Sequence, residues 1–528
     1  MPYLTTLPLD GETTLHRKRT LPQASSDPDP KPVGSHPTSG GLVAKVRQSG
    51  RVRTFLAVLV AAVLAATIGW GVVELGFYLP GVSWPFRIWT TVCWAVFALG
   101  LVLLRRVPAK HVAAVVLVGA ALIGGAAIVG PPNTSTDSAR YAWDGIVQGH
   151  GVSPYAHTPN SKATESLRPE WLFPSTVTES DGSVGCTPGR TVKTRDYGTK
   201  TVICTQINRP SVNTIYPATA ELYFAAVRFV VPTDAQYWPL QAGGLVISLG
   251  ITVGLVLVLR RRRLDVRWAA LWAWCPLVAS EAVTNSHVDV LAAGLAFLAT
   301  ALVATNRRWT GGLALGAAIA TKLIPVIAAP ALLRRQPLKV IAASLAAFLL
   351  LYVPYIIGTG PKVLGFLPGY LSEEGYDDGN RFALVHWFAP GELAAPAAVL
   401  ILLIVAVIVW RVTDPANPWL GQLVMIGATL LVLSPRYPWY ALLLIPFVAM
   451  TGRWEWLTIA MALSARQFFL YGGTRPLTLL VALVIIVAVS IHRSGPGWQG
   501  RMRDTASREW HALLPSRRRP LGAPEPAE

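Results

Sequence analysis

The sequence has little charge: Asp, Glu, Lys and Arg make up 14% of its 528 residues, whereas 52% are hydrophobic. Soluble domains carry about a quarter of their residues as charged side chains, because their surfaces need them. The shortage of charge therefore excludes a chain of several soluble domains. Cysteine is scarce as well. Two of the four cysteines, Cys93 and Cys275, lie inside apolar blocks, where they are predicted to be packing residues.

The sequence also lacks the glycine-rich loops that hold phosphates in soluble enzymes. It contains no GxxxxGK[ST] loop and no dinucleotide-binding fingerprint between a strand and a helix. No soluble segment is large enough to hold a nucleotide sugar. A transferase built on this chain would therefore take its group from a donor that is already in the membrane.

Long apolar blocks dominate the sequence, as residues 55–73, 112–129 and 393–410 illustrate. Each is about the length that a helix needs to cross a hydrocarbon core of roughly 30 Å. About a dozen such blocks are present. They predict an all-α polytopic membrane protein with about 12 transmembrane helices, in a range of about 11 to 14.

The net charge of +18 follows the apolar blocks. Clusters of Lys and Arg stand at the ends of these blocks, at residues 45–53, 105–110, 260–267, 307–308, 334–339, 493–503 and 517–519. Basic residues stay on the cytoplasmic side of multi-pass proteins of the cell membrane. The pattern predicts membrane lipids as partners and two cytoplasmic termini. It speaks against nucleic acid, because no basic stretch is interleaved with stacking aromatics.

Composition and topology divide the chain into three regions. Residues 1–50 are rich in Pro, Ser, Thr and Gly and predict a disordered cytoplasmic tail. Residues 51–494 predict the transmembrane domain, and residues 495–528 a basic, Pro-rich cytoplasmic tail. Within the domain, residues 130–238 form a large external loop and residues 358–390 a second one.

Two segments fit the topology only if they do not simply cross the membrane. Residues 216–231, which contain Glu221 and Arg228, are predicted to lie on the surface as an amphipathic helix. Residues 310–333 have basic flanks at both ends, so a re-entrant pair of short helices broken near Lys322 is expected. Irregular backbone of this kind is tolerated where protein or a water-filled cavity surrounds it.

The polar, non-repetitive sequence collects on the outer side of this topology. Five distant segments share that side: residues 135–145, 208–217, 285–289, 373–381 and 434–440. The inner loops are short and basic. This asymmetry predicts an active site on the external face.

Asp137 and Asp144 are the candidate catalytic residues, and they follow a crossing directly. Their spacing of seven residues is two helical turns, which would place both carboxylates on one face, near Arg140 and Tyr141. A carboxylate at the mouth of a membrane cavity suits the removal of a proton from an acceptor hydroxyl. The alternative is structural: Asp137 caps the helix and Asp144 pairs with Arg140.

Ionisable residues at the edge of a membrane are functional candidates, because burying them is costly. Glu281, His287 and Asp289 stand within nine residues at a short outer turn. His287 and Asp289 would orient an acceptor or bind a divalent cation, although the three residues also suit a local hydrogen-bond cluster.

Lys322 and Arg436 suit a phosphate, Lys as a point charge and Arg with two parallel hydrogen bonds. The alternatives are snorkelling of Lys322 to the interface and headgroup contact by Arg436. Trp439 and its aromatic neighbours suit a sugar or a prenyl chain. Cys186 and Cys204 lie in the large external loop, where an oxidising compartment would permit a disulfide.

Six short motifs occur in one order along the chain. They are DSARYAWDG at residues 137–145, GVSPY at 151–155, IYP at 215–217, SHVD at 286–289, TKLIP at 321–325 and SPRYPWY at 434–440. This ordered set resembles the integral-membrane glycosyltransferases of the GT-C fold. It is most similar to glycosyltransferase family 87, which includes actinobacterial mannosyltransferases that use polyprenyl-phosphate mannose.

The resemblance implies that an aspartate of the first large outer loop acts as general base, which maps onto Asp137, with Asp144 as the second candidate. It also carries the family's donor-phosphate role to Lys322 and Arg436. Arg140, Tyr141 and Tyr216 are further candidate substrate-binding residues. The expected reaction moves a hexose, most simply mannose, from a polyprenyl phosphate to a glycan or glycolipid of the cell envelope. It requires no cofactor. Three crossings precede the aspartate loop instead of one, and the Cys186–Cys204 insertion enlarges that loop.

Two rival interpretations belong to other classes of protein. A transporter or flippase of lipid-linked sugars would also use broken helices and intramembrane charges. Against it, the halves of the chain show no inverted repeat and the polar motifs lie on one side. A non-catalytic assembly partner of the cell envelope would tolerate replacement of Asp137.

Overall fold

A computed structural model describes residues 39–79, 84–187, 189–375, 381–468 and 475–495. The chain divides into two units, Met1–Ser49 and Gly50–Glu528. The predicted N-terminal tail lies outside the described residues up to residue 38, and its remaining part opens the first helix. The predicted C-terminal tail lies outside them from residue 496 onward. The second unit carries the fold and the site.

The described residues are largely helical. The α-helices, in chain order, are α1 Ser39–Glu74, α2 Trp84–Leu104, α3 Ala109–Ala126, α4 Asp137–Gly149, α5 Ala218–Phe229, α6 Trp238–Arg261, α7 Ala270–Ala273, α8 Asp289–Ala304, α9 Arg308–Ile319, α10 Ala329–Leu332, α11 Pro337–Thr359, α12 Leu367–Glu373, α13 Ala394–Val412, α14 Trp419–Leu433, α15 Ile445–Thr451, α16 Leu457–Phe468 and α17 Arg475–Ser494. A π-helix, Val278–Thr284, precedes α8, and 3₁₀ turns at Ile324–Ala328 and Pro438–Leu443 precede α10 and α15.

The prediction of an all-α polytopic membrane protein is confirmed. Among the described residues, seven helices are long and apolar enough to cross a membrane, and the bent pair Val278–Thr284 and Asp289–Ala304 makes an eighth candidate. Three of the seven precede Asp137. The shorter apolar stretches Trp419–Leu433 and Pro438–Thr451 come in addition. The count of about 12 crossings stays a prediction.

Two breaks in the apolar helices lie beside the site. The break predicted near Lys322 is present, since α9 ends at Ile319 and a 3₁₀ turn with Pro325 at its start follows. Proline has no N–H to continue a helical ladder. The second break lies at the short turn predicted around His287, where the π-helix and α8 meet at an angle of 111°.

Helix α5 occupies the segment predicted to lie on the surface, but its charged residues do not face water. Glu221 is fully buried, and Arg228 donates hydrogen bonds to the carbonyls of Pro232 and Thr233 beyond the end of the helix. Helix α4 packs against α5 at Gly145, where a Cβ atom would lie 2.5 Å from the carbonyl oxygen of Phe224. The charged side chains of α5 are therefore placed by packing within the protein and not by exposure at the membrane surface.

The large loop between α4 and α5 contains two hairpins, which the sequence did not predict. Strands β1 (Val177–Thr178) and β2 (Val184–Gly185) pair antiparallel, as do β3 (Val192–Arg195) and β4 (Val202–Thr205). Cys186 and Cys204 form a disulfide. The bond joins the end of the first hairpin to the last strand of the second, so the insertion is cross-linked within itself.

Candidate active site

A cavity of about 530 Å³ opens between the start of α4, the end of the large loop, the break after α9, helix α12 and the 3₁₀ turn before α15. Its polar and aromatic lining includes Asp137, Arg140, Asn208, Arg209, Tyr216, Lys322, Tyr370, Glu374, Tyr437, Trp439 and Tyr440. Its apolar lining includes Leu323, Ile324, Val326, Ile327 and Leu367. Volume and mixed lining are typical of a small-molecule site.

Asp137 stands at the first position of α4 and lines the cavity, with 17% of its side chain exposed. Its Oδ1 accepts a hydrogen bond of 2.8 Å from Nδ2 of Asn208. Its Oδ2 lies 3.7 Å from Nδ1 of His287. The carboxylate is therefore oriented from two sides while it remains accessible from the cavity.

Asp144 is fully buried and does not line the cavity. The seven residues after Asp137 carry it about 10 Å along the helix axis, at about 1.5 Å per residue. Both of its oxygens accept from Nε of Arg140, at 2.9 and 3.0 Å. Both residues thus lie on α4, but only Asp137 lines the cavity, and Asp144 pairs with Arg140 as in the structural alternative.

Arg140 is the link between Asp144 and the cavity, although only 5% of the residue is exposed. One terminal nitrogen, Nη1, donates to the carbonyl of Val212 at 3.0 Å. The other, Nη2, has no hydrogen-bond partner among the described residues. A buried guanidinium nitrogen without a partner is costly, so this group is suited to an anionic ligand in the cavity.

Glu221 lies behind Asp144 and completes a buried acidic pair. Thr214 donates to Oε1 of Glu221 at 2.7 Å and Gln148 to Oε2 at 3.0 Å. Burial and the neighbouring carboxylate of Asp144 raise the pKa of Glu221 well above its usual range. Burial also raises the pKa of Asp144, against the opposing effect of Arg140. Asp144 and Glu221 thus form a buried pair of carboxyls, beside which Arg140 supplies the opposing positive charge.

Lys322 reaches the cavity from the break after α9. Its ammonium nitrogen donates to both oxygens of Asp289, at 2.8 and 2.7 Å, and lies 4.6 Å from the centre of the Tyr440 ring. Asp289 itself does not line the cavity. The two residues therefore act as a pair, in which Asp289 holds the ammonium group in place.

His287 lies behind Asp137 and is fully buried. Its imidazole stacks on the indole of Trp439, with ring centres 3.9 Å apart, and its Nε2 is 3.3 Å from Oε2 of Glu281. Trp439 in turn lines the cavity and stacks on Tyr437 at 4.3 Å. The outer turn predicted as a site thus supports the cavity from behind and does not line it.

Three other predicted residues have different positions. Tyr216 lines the cavity, whereas Tyr141 is fully buried and stacks on Phe224 with ring centres 4.4 Å apart. Arg436 is exposed and does not line the cavity. Ser434 has left-handed backbone, with φ of 45°, and Trp439 lines the cavity. The phosphate role predicted for Arg436 therefore has no support from the lining of the cavity.

Four cavity residues were not predicted individually. Asn208 holds Asp137, Arg209 pairs with Glu373 at 2.7 Å, and the hydroxyl of Tyr370 lies 3.0 Å from that of Tyr440. Glu374 is buried and forms an ion pair with Arg381. They belong to, or stand beside, the polar outer segments at residues 208–217 and 373–381. Their position in or beside these polar segments is the sequence feature from which they could have been predicted.

Within the described ranges, no group of three or more His, Cys, Asp or Glu residues is arranged to hold a metal ion. The oxygens of Asp289, one of the two residues considered for a divalent cation, both accept from Lys322.

A second cavity, of about 400 Å³, adjoins the first. It lies between α9, the 3₁₀ turn, α10 and α11, and Leu323 and Val326 line both cavities. Its remaining lining is Leu315, Ile319, Ala329, Leu333, Val340, Ile341, Ser344, Leu345 and Phe348. We call this second cavity the apolar groove. It lies beside the polar cavity and offers an environment that suits a hydrocarbon chain.

Comparison with known families is consistent with this arrangement. A family model described as Glycosyltransferase family 87 matches residues 215–435. The polytopic helical chain, with its cavity of carboxylate, cationic and aromatic side chains, is therefore a membrane glycosyltransferase. Over the matched part, which is less than half of the chain, it is similar to glycosyltransferase family 87. The matched residues include His287, Lys322 and the groove but begin after α4, so Asp137 lies outside the match. Searches of curated proteins and of solved structures gave no match.

Proposed function

We propose that this glycosyltransferase moves a hexose, most simply mannose, from a polyprenyl-phosphate donor to a glycan or glycolipid acceptor of the cell envelope. The observation that carries the proposal is that Leu323 and Val326 line both the polar cavity and the apolar groove. Carboxylates and cations line the first, and hydrocarbon side chains dominate the second. A lipid phosphate that carries a sugar has the same order of groups.

Asp137 is the proposed general base. Its carboxylate is accessible from the cavity and held in place by Asn208. The acceptor hydroxyl attacks the anomeric carbon, its proton passes to Asp137, and the bond from that carbon to the phosphate oxygen breaks. The electron pair leaves with the phosphate. One displacement of this kind inverts the configuration at the anomeric carbon.

Arg140 and Lys322 are proposed to hold the donor phosphate. Nη2 of Arg140 has no partner among the described residues, and Lys322 approaches the cavity beside Leu323, which also lines the groove. Positive charge in a site with little water stabilises the departing phosphate as its charge develops. Trp439 and Tyr216 offer apolar faces for the sugar rings.

The active site is proposed to lie on the external face of the cell membrane. Helix α8 begins beside the cavity at Asp289 and ends at Ala304, shortly before Arg307 and Arg308. Basic residues thus follow the end of α8 that is farther from the site. Because such residues stay in the cytoplasm, the cavity would face outward.

Reconstituted vesicles provide the test. Purified protein is supplied with labelled polyprenyl-phosphate mannose or with a labelled nucleotide sugar, together with cell-envelope glycolipid as acceptor. The proposal expects label in the glycolipid from the lipid donor and none from the nucleotide sugar. Transfer from the nucleotide sugar alone would contradict it. Movement of the lipid-linked sugar across the membrane without transfer would favour a flippase.

A further inference from the structure

Glu281 reaches the site through an irregular helix. The π-helix Val278–Thr284 carries it, and π-helical turns are rare and concentrate at functional sites. Glu281 is 3% exposed, and its Oε1 accepts a hydrogen bond of 2.9 Å from Ser280. Its Oε2 has no hydrogen-bond partner among the described residues and faces the imidazole of His287.

His287 follows a strained residue. Ser286 has φ of 50°, which is left-handed backbone that serine rarely adopts, and it is 1% exposed. This turn directs the imidazole between the carboxylates of Asp137 and Glu281, at 3.7 and 3.3 Å. Strain of this kind persists where the surrounding structure fixes the conformation, which is common at active sites.

The imidazole of His287 lies between two carboxylates that can each accept a hydrogen bond, but a neutral ring can donate only one. A neutral histidine has a single N–H, whereas the imidazolium has two. Neither ring nitrogen of His287 has a hydrogen-bond partner among the described residues. A proton that passes from Asp137 to the ring would therefore give each of the two carboxylates an N–H that faces it.

We propose that Glu281 and His287 accept the proton that Asp137 removes from the acceptor hydroxyl. Nε2–H of His287 donates to Glu281, and Nδ1 takes the proton from Oδ of Asp137 as the glycosidic bond forms. The resulting imidazolium lies between two carboxylates. The proton returns to solvent through Asp137 and the open cavity after the products leave. This inference rests on the proposed function. Glu281 and His287 are positioning residues, since neither touches the substrate.

Other charges near the ring do not replace Glu281. Asp289 follows two residues after His287 but is neutralised by Lys322. Tyr437 reaches the ring only through Trp439. Asp137 and Glu281 are therefore the two anionic groups that the described residues place against the imidazole.

We call Asp137, His287 and Glu281 the carboxylate–imidazole row. Three variants test this row: Glu281→Gln, His287→Gln and the double variant, with Glu392→Gln as an exposed control. Gln at residue 281 keeps the volume and the contact with Ser280 but removes the charge. The inference expects kcat to fall about 10- to 100-fold in each single variant, with KM for donor and acceptor unchanged. The double variant should be no slower than His287→Gln, because both residues act in one unit.

The possible results distinguish a failure of the row from a failure of the proposed function. Size-exclusion profiles and thermal midpoints first establish that each variant is folded. A folded Glu281→Gln with the kcat of wild type would overturn the row and leave the glycosyltransferase proposal standing. The same conclusion would follow if the losses of kcat in the two single variants multiplied in the double variant. A wild-type protein that transfers no sugar from any polyprenyl phosphate would remove the proposed function, and the row with it.

Discussion

Asn208 donates a hydrogen bond from Nδ2 to Oδ1 of Asp137 over 2.8 Å, although the two residues are 71 positions apart. The large loop thereby returns to the helix from which it started. Nδ1 of His287 faces the other carboxylate oxygen at 3.7 Å. The amide on one side and the imidazole on the other set the direction of the carboxylate that we propose as the base.

Replacing Asn208 is expected to lower kcat with little effect on stability. A hydrogen bond to a charged group contributes about 1.5–3 kcal/mol, so Asn208→Ala should slow transfer about 10- to 100-fold. Asn208→Asp should be slower still, because a second carboxylate would face Asp137. Asn417, an exposed amide bonded to Arg262, provides the matched control. Steady-state transfer assays measure both, and equal rates for Asn208→Ala and Asn417→Ala would contradict this role.

Lys322→Gln is expected to weaken binding of the donor. Removal of the ammonium group takes one of the two proposed phosphate ligands away and leaves Asp289 without its partner. KM for the lipid donor should rise about tenfold or more, while KM for the acceptor stays within about twofold. Lys362→Gln, at an exposed lysine of a 3₁₀ turn, is the control. A rise in the acceptor KM alone would move Lys322 to the acceptor side.

Val326→Trp is expected to discriminate between donors by chain length. Val326 lines both the polar cavity and the apolar groove and is 53% exposed, so a larger side chain fits there without disturbing the core. It would block the junction. Donors with a long prenyl chain should lose about tenfold in kcat/KM, whereas donors with a prenyl chain of about ten carbons should not. Leu349→Trp, at a comparably exposed position of α11, should affect neither. Equal losses for both chain lengths would place the lipid elsewhere.

Hydropathy and charge predicted much of the fold because a membrane imposes simple rules. Helices long enough to cross and the break beside Lys322 could be found in this way. The angle of 111° before α8 could not, because the polar residues 285–289 indicate a turn but packing decides how far the chain bends. The hairpins of the large loop depend on turns and a disulfide within a polar stretch that hydropathy does not distinguish.

The site was predicted in part, for physical reasons that differ between residues. Asp137 and Lys322 line the cavity because each lies at a helix end or break, where polar groups meet the cavity. Asp144 does not, because an aspartate four residues after an arginine on a helix pairs with it more readily than with a ligand. Arg436 is exposed, since the turn at Ser434 directs the aromatic residues inward instead.

Stability is expected to depend on pH through Glu221. Burial raises the pKa of Glu221 in the folded state, so the folded carboxyl is neutral where the unfolded one has ionised. Its stabilising contribution is present in acid and is lost as the pH rises from the usual range of glutamate towards the raised pKa. Glu221→Gln resembles the neutral form, so its thermal midpoint in detergent should fall less than that of wild type between pH 5 and pH 8. Parallel curves for the two proteins would contradict this assignment.

The most direct test of the account is a single-turnover measurement of sugar transfer by Asp137→Asn. The variant keeps the shape of the side chain and removes the base. Protein is loaded with labelled polyprenyl-phosphate mannose and mixed with acceptor, with Glu392→Gln as an acidic control outside the cavity. We predict that Asp137→Asn binds the donor as wild type does and transfers about 100- to 10,000-fold more slowly. A folded Asp137→Asn that transfers at the wild-type rate would contradict the assignment of Asp137 as the general base.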